Sequence, residues 1–113
     1  MNLKEYGDTA ITTLTNGHTY GDFSPALLAQ VLGLVGESGE VAEKFKKIVR
    51  DKDGIISEED RDEIVKELGD ILWYVNAVSR LVGSDIEQVA AKNIEKVLSR
   101  KSRGATHGSG DNR

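Results

Sequence analysis

The feature that most constrains this chain is an apolar periodicity that runs through most of its length. Between Ser24 and Arg100 apolar side chains return every three or four residues. That is the repeat of one helix face, not the alternation of a half-buried strand. The single proline, Pro25, directly follows Ser24, and this pair is a helix start: a hydroxyl cap, then a ring whose missing N–H is not needed in the first turn. No alternating β-branched segment stands out, and aromatic residues make up only 5% of the chain. An all-α fold is therefore expected, a four-helix bundle protomer.

The first helix is expected over roughly Leu3–Leu14, with Leu3, Tyr6, Ala10 and Leu14 as its apolar stripe and Thr15-Asn16-Gly17 as its stop. The second starts at Ser24-Pro25, carries the seam Leu27, Val31, Leu34, Val41, Phe45 and Ile48, and ends at Asp51-Lys52-Asp53-Gly54. Gly33, Gly36 and Gly39 lie inside it, each costing up to about 1 kcal/mol relative to alanine. They allow close helix packing or access for a ligand. The third begins near Ser57 with an acidic first turn, carries Ile64, Leu68, Ile71, Val75, Val78 and Val82, and ends at Gly83. Ser84 and Glu87 read as a capping box for the fourth, whose Ile86, Val89, Ala90 and Val97 face inward and which fades near Arg100. The expected division is a helical domain over 1–101 and a polar, glycine-rich tail over 102–113.

At 113 residues the chain is one domain's worth of sequence with a modest core, so self-association would help it. Fifteen basic and nineteen acidic residues give a net charge of -4, a field that repels phosphate polymers and anionic membranes. No nucleic-acid polymer or membrane partner is expected. The chain has no cysteine, which excludes disulfides, thiolate catalysis and zinc–thiolate sites. His18 and His107 are far apart in sequence and suggest no histidine-rich metal site. No signal-peptide pattern opens the chain and no apolar run is long enough to span a membrane, so a soluble cytoplasmic protein is the expectation.

The clearest chemical constellation is a pair of carboxylate pairs. Glu37 and Glu40 are spaced i,i+3 on the second helix, and Glu67 and Asp70 are spaced i,i+3 on the third. Each pair projects from one face, beside its apolar seam. If the seams pack antiparallel, four carboxylates share one partly buried pocket. Such a cluster repels itself unless a cation is present, and hard oxygen ligands select Mg²⁺ or Mn²⁺. The alternative is two solvated acidic faces. Glu43 continues the row as a further ligand, a base, or a plain exposed residue.

Other residues carry two readings each. Asn93 is a polar amide on the fourth helix's inward stripe and must find a partner: substrate, or a neighbouring backbone. Lys96 and Arg100 follow at one-turn steps and could meet phosphate oxygens, or form a solvated basic face. Tyr74 is one turn from Asp70, beside Trp73; these rings stack on a base or pack in the core. Lys44, Lys47 and Arg50 read as a basic face, with Lys47 in reach of a phosphate. Arg103 and Arg113 bracket a tail that is disordered or forms a glycine-rich strap over an anion. Asp51, Asp53 and Gly54 resemble part of an EF-hand, but aligning Gly54 at loop position six puts Val49 at position one, which has no side-chain ligand.

The stretch from Gly33 through Glu37-Ser-Gly-Glu40 to Glu43, followed by Lys66-Glu67-Leu-Gly-Asp70-Ile-Leu-Trp73-Tyr74, resembles the ExxE…ExxD signature of the MazG-like nucleotide pyrophosphohydrolases. The resemblance continues through Asn93 and Lys96 into a tail similar to that of small stand-alone members. It implies an all-α bundle that forms a dimer or a dimer of dimers. It also implies hydrolysis of a nucleoside triphosphate between the α and β phosphorus. Glu37, Glu40, Glu67 and Asp70 match the magnesium-binding carboxylates, Asn93 and Lys96 match substrate-contacting positions, and Trp73 and Tyr74 match base-side contacts. Gly36 stands where many relatives carry a further acid.

The implied mechanism has a water, oriented by Glu40 or Glu43, attacking the α-phosphorus in line while a basic side chain from the fourth helix or the tail holds the outgoing charge. Base selection falls to the first helix, the Gly17–Phe23 loop and Tyr74. Two alternatives stay open: a phosphoribosyl-ATP pyrophosphohydrolase, and a non-catalytic helical dimerisation module.

Overall fold

Each helix starts where a side chain can satisfy the free N–H groups of its first turn. The computed structural model describes residues 1–14 and 20–111. Helix α1 (Leu3–Ala10) opens on a capping box in which Asn2 accepts from Glu5 N–H and Glu5 accepts from Asn2 N–H. It tightens into one 3-10 turn at Ile11–Thr13, with Leu14 extended beyond it, so the regular helix is shorter than the apolar stripe suggested. The expected stop at Thr15-Asn16-Gly17 and His18 lie outside the described residues. Helix α2 (Pro25–Asp51) is capped by Ser24, which accepts Leu27 N–H at 3.1 Å, with Pro25 in the first turn. Helix α3 (Glu58–Leu81) is capped by Ser57 and Asp60 in a reciprocal box.

Helix α4 (Ile86–Ser102) starts one residue later than the sequence pattern indicated. Its cap is Asp85, which accepts Gln88 N–H at 2.8 Å, so Ser84 and Glu87 do not form the expected box. The reason lies in the preceding turn. Gly83 takes φ +83, a conformation natural to glycine, and Ser84 N–H donates to Ser79 O at 2.8 Å. Ser84 thus closes α3, and its hydroxyl bonds the Gln88 side chain instead.

Helices α2 and α3 form an antiparallel hairpin. Lys52 pairs with Asp60 near the connection, Lys44 reaches Glu63 and Glu67 further along, and Gly33 lies against Tyr74 beyond that. The expected seams meet here. Leu27 and Ile48 are buried, and Val31, Leu34, Val41, Ile64, Ile71, Val75 and Val78 are half-buried. Phe45, Leu68 and Val82 remain exposed.

Outside the hairpin little is covered. Among the described residues α1 packs on no other helix except its own 3-10 turn, and α4 touches α3 but not α2. The expected inward stripe of α4 is therefore largely open, with Val89, Ala90 and Val97 exposed and Ile86 half-buried. The chain exposes 9216 Å², against about 6,100 Å² for a compact monomer of this mass. Its radius of gyration is 20.0 Å, against about 13 Å for a compact chain of this length. No helix among the described residues is long and apolar enough to cross a membrane.

The start of α3 gives a stability test. Lys52 donates to Asp60 at 2.6 Å and Ser57 N–H donates to it at 3.0 Å. These contacts, Lys52 first, hold the Asp60 carboxyl at about 2 instead of 3.8. A lowered folded pKa means that the stabilisation is present above the unfolded value and is lost as pH falls through the folded one. Asp60→Asn should lower the melting temperature at pH 7. By circular dichroism, the gap from wild type should close between about pH 5 and pH 2.

Candidate metal centre

The hairpin register decides which carboxylates meet. Glu37 on α2 faces Glu67 and Asp70 on α3, and one oxygen from each lies within 4.8 Å of the others. Glu37 and Glu67 are half-buried and Asp70 is exposed, so the group opens to solvent at one side. Glu40 is exposed and does not join this three-carboxylate group, although its charge acts on Glu37. Residues three apart on a helix diverge by about 60° around the axis. On α3 both members of the pair join the group; on α2 only Glu37 does, with Glu40 close enough for its charge to be felt.

Electrostatics at this point are unfavourable without a counter-charge. Burial raises the Glu37 carboxyl above its ordinary value, and the neighbouring Glu40, Glu67 and Asp70 push it the same way. The buried oxygens Glu37 Oε2 and Glu67 Oε2 have no hydrogen-bond partner. When both carboxylates are ionised they are acceptors only and cannot satisfy each other; a proton on Glu37 would bridge them, and the contact with Glu67 is among the causes that raise Glu37. Buried acceptors in this state, converging from two helices, fit a hard divalent cation.

One positive charge already reaches the group. Lys44 Nζ lies 3.8 Å from Glu67 Oε1 and 3.8 Å from Glu63 Oε2. The sequence pattern places Lys44 on a solvated basic face, and the structure turns it to the carboxylates. Its spacing of seven from Glu37 was the available sign that it shares that residue's face. Lys44 also borders, with Lys47, Lys52, Asp51, Asp60 and Glu63, a cavity of about 270 Å³ toward the connection. Glu43 instead pairs with Lys46 at 3.5 Å.

On the other side of the carboxylates lies an open pocket of about 360 Å³ lined by Glu37, Asp70, Trp73 and Tyr74. Trp73 and Tyr74 stand edge to face, with ring centroids 5.0 Å apart. Trp73 is 59% exposed, so it is not a core ring. The aromatic pair and the carboxylates therefore share one cleft, as the one-turn spacing from Asp70 to Tyr74 suggested.

Helix α4 and the tail form a separate basic cluster. Arg100 is buried, and its guanidinium donates to the backbone oxygens of Gly110 at 3.2 Å and Asp111 at 2.9 Å. Lys96 Nζ lies 3.1 Å from Asp111 Oδ1, and Arg100 lies 3.5 Å from the same atom. Lys96 is foremost in holding the Asp111 carboxyl below its usual range. The tail is thus folded back on α4 as far as Asp111. Arg103 Nε donates to Ser99 Oγ at 3.1 Å. Asn93 is exposed. No hydrogen bond or ion pair among those described joins Asn93, Lys96 or Arg100 to the carboxylate group, and α4 does not reach α2. Arg113 lies outside the described residues.

Comparison with known proteins identifies the family. The family model for the MazG nucleotide pyrophosphohydrolase domain matches residues 26–104, which include α3 and all but the first residue of α2 and carry every carboxylate of the group. The chain is also similar to the Gene 37 protein of Mycobacterium phage L5, with 51% identity over 82 residues, covering 73% of this chain and 72% of that protein. No solved structure matches the chain. A helical hairpin carrying converging acids, and a domain match over more than half of the sequence, lead to one conclusion: the chain belongs to the MazG nucleotide pyrophosphohydrolase family.

Proposed function

We propose that this protein is a cytoplasmic, Mg²⁺-dependent pyrophosphohydrolase. It would convert a nucleoside or deoxynucleoside triphosphate and water to the monophosphate and pyrophosphate, clearing unwanted nucleotides from the pool. The observation that carries this reading is the set of orphaned oxygens of Glu37 and Glu67 beside Asp70. A charged, unsatisfied acceptor pair is costly in a half-buried seam, and the family's reaction gives it a use.

Glu37, Glu67 and Asp70 would hold the cation, with Glu40 completing the set from its next position on α2. The ion, when bound, would supply charge neutralisation at the phosphates and acidify water. Glu40 or Glu43 would orient the attacking water and take its proton. The new bond forms between the water oxygen and the α-phosphorus. The α–β bridging oxygen leaves with pyrophosphate. Trp73 and Tyr74 would face the base. Lys96, Asn93, Arg100, Arg103 and Arg113 would meet the phosphates only if α4 and the tail reach a carboxylate group, and within one protomer α4 stays clear of α2. A second copy of the chain would provide that approach. It would also cover apolar residues such as Leu3, Leu32, Val35 and Leu98, each more than half exposed. A dimer or a dimer of dimers is the proposed assembly.

Four measurements test this reading. Pyrophosphate release from a panel of NTPs and dNTPs should require Mg²⁺ and be blocked by EDTA. Glu67→Gln should reduce it by about a hundredfold or more, the scale of losing one preorganised electrostatic contact. Failure of every nucleotide, with phosphoribosyl-ATP also inert, would return the chain to a dimerisation module. Melting supplies a test without turnover. Mg²⁺ at a hundred times its Kd should stabilise wild type by about 2.7 kcal/mol, and Glu67→Gln should lose that gain. In EDTA the raised Glu37 carboxyl makes wild type lose stability as pH rises through that group's folded pKa. Glu37→Gln should lack that loss and melt higher at pH 7. Sedimentation should give a multiple of 12.3 kDa; a single-chain mass would remove the shared-site assembly.

A further inference from the structure

The carboxylate group and the aromatic pair are linked by a close approach of α2 to α3. Gly33 lies one turn before Glu37, and Tyr74 lies one turn after Asp70. A Cβ built on Gly33 would fall 2.9 Å from Tyr74 Cδ1 and nearer still to Cε1 and Cζ. The ring therefore occupies the space that any side chain at position 33 would need. The other α2 glycines do not behave this way: a Cβ on Gly36 or Gly39 meets nothing within 4 Å. Of the three, Gly33 alone makes room for a neighbour, and that neighbour is a wall of the pocket holding Glu37 and Asp70.

We infer that Gly33 is a positioning residue for base selection, acting through Tyr74. With no side chain at 33, the half-buried Tyr74 ring can lie against α2. That contact sets its distance from the carboxylates and its edge-to-face angle with Trp73, 82° between ring planes. Trp73 is largely exposed and adjustable; Tyr74 is the wall that the helix pair holds. A planar heteroaromatic base linked to a triphosphate must fit between that wall and the point where its phosphates meet the acids. The width of this gap is a fixed property of the hairpin, and a methyl group at 33 would change it. The inference rests on the pyrophosphohydrolase reading above and concerns which base is chosen, not whether hydrolysis occurs.

The test compares wild type, Gly33→Ala, Tyr74→Ala and the double variant. Pyrophosphate release is measured as kcat and KM over purine and pyrimidine dNTPs and NTPs, with the Mg²⁺-induced rise in melting temperature as a readout apart from turnover. Gly33→Ala should change the purine-to-pyrimidine ratio of kcat/KM by about tenfold to a hundredfold, the scale of an ångström-level misplacement. The change should lie mainly in KM, with the Mg²⁺ response kept. Once Tyr74 is alanine, Gly33→Ala should alter the ratio less than about twofold, because the two act as one unit. If Gly33→Ala does not fold, Tyr74→Ala alone must shift the ratio. A wild-type ratio in Tyr74→Ala, or independent effects that multiply in the double variant, would overturn the inference. Inactivity of wild type on every nucleotide would instead remove the underlying reading.

Discussion

The pairing of α2 with α3 is the contact on which the rest depends, and it places like charges against each other. The hairpin buries Leu27 and Ile48 and half-buries the middle of both seams. Partway along, Glu37, Glu67 and Asp70 converge. Apolar burial draws the helices together at about 25 cal/mol per Å², while the carboxylates push them apart wherever two are ionised. Lys44 offsets part of this from one side. The aromatic pair borders the other side and provides no charge. A seam of this kind would gain from a bound cation.

The fold was legible in the sequence where local rules decide. Ser24-Pro25 and Ser57 mark helix starts because capping chemistry acts within three residues. The start of α4 differs from the expected one because Ser84 and Asp85 are both good caps, and the turn closing α3 through Gly83 claims the first of them. Spacing identified the carboxylate pairs but not which members meet, since the rotation of each helix about its own axis is set by the partner helix. Glu40 therefore falls outside the three-oxygen group. The tail contact between Asp111 and Lys96 spans fifteen residues with no periodicity, so composition alone left it between a loose end and a strap. Lys44 and Gly33 were visible as residues on the Glu37 face, but their roles depend on what lies across the hairpin.

The remainder of the protomer is open in a patterned way. Among the described residues α1 keeps its own cap and amphipathic stripe without another helix to lie on, and α4 is held by its turn and its contact with α3, while the Arg100 clasp ties the tail back to α4. Local signals are enough to form these helices. Among the described residues no second layer buries them, which sets a well-formed secondary structure beside a small core.

The antiparallel register also governs how the chain can change in length. One added or deleted residue inside a helix turns everything beyond it by about 100° and shifts it by about 1.5 Å. Between Gly33 and Glu37 such a change would separate the ring contact from the acids. Between Glu37 and Lys44 it would separate the acids from their lysine. The connection between Lys52 and Ser57 carries no such register, and an exposed segment of this kind absorbs added residues at small cost. Length variation compatible with this site is thus confined to the hairpin's turn and the chain's ends, whereas α2 and α3 behave as a ruler whose graduations cannot be renumbered.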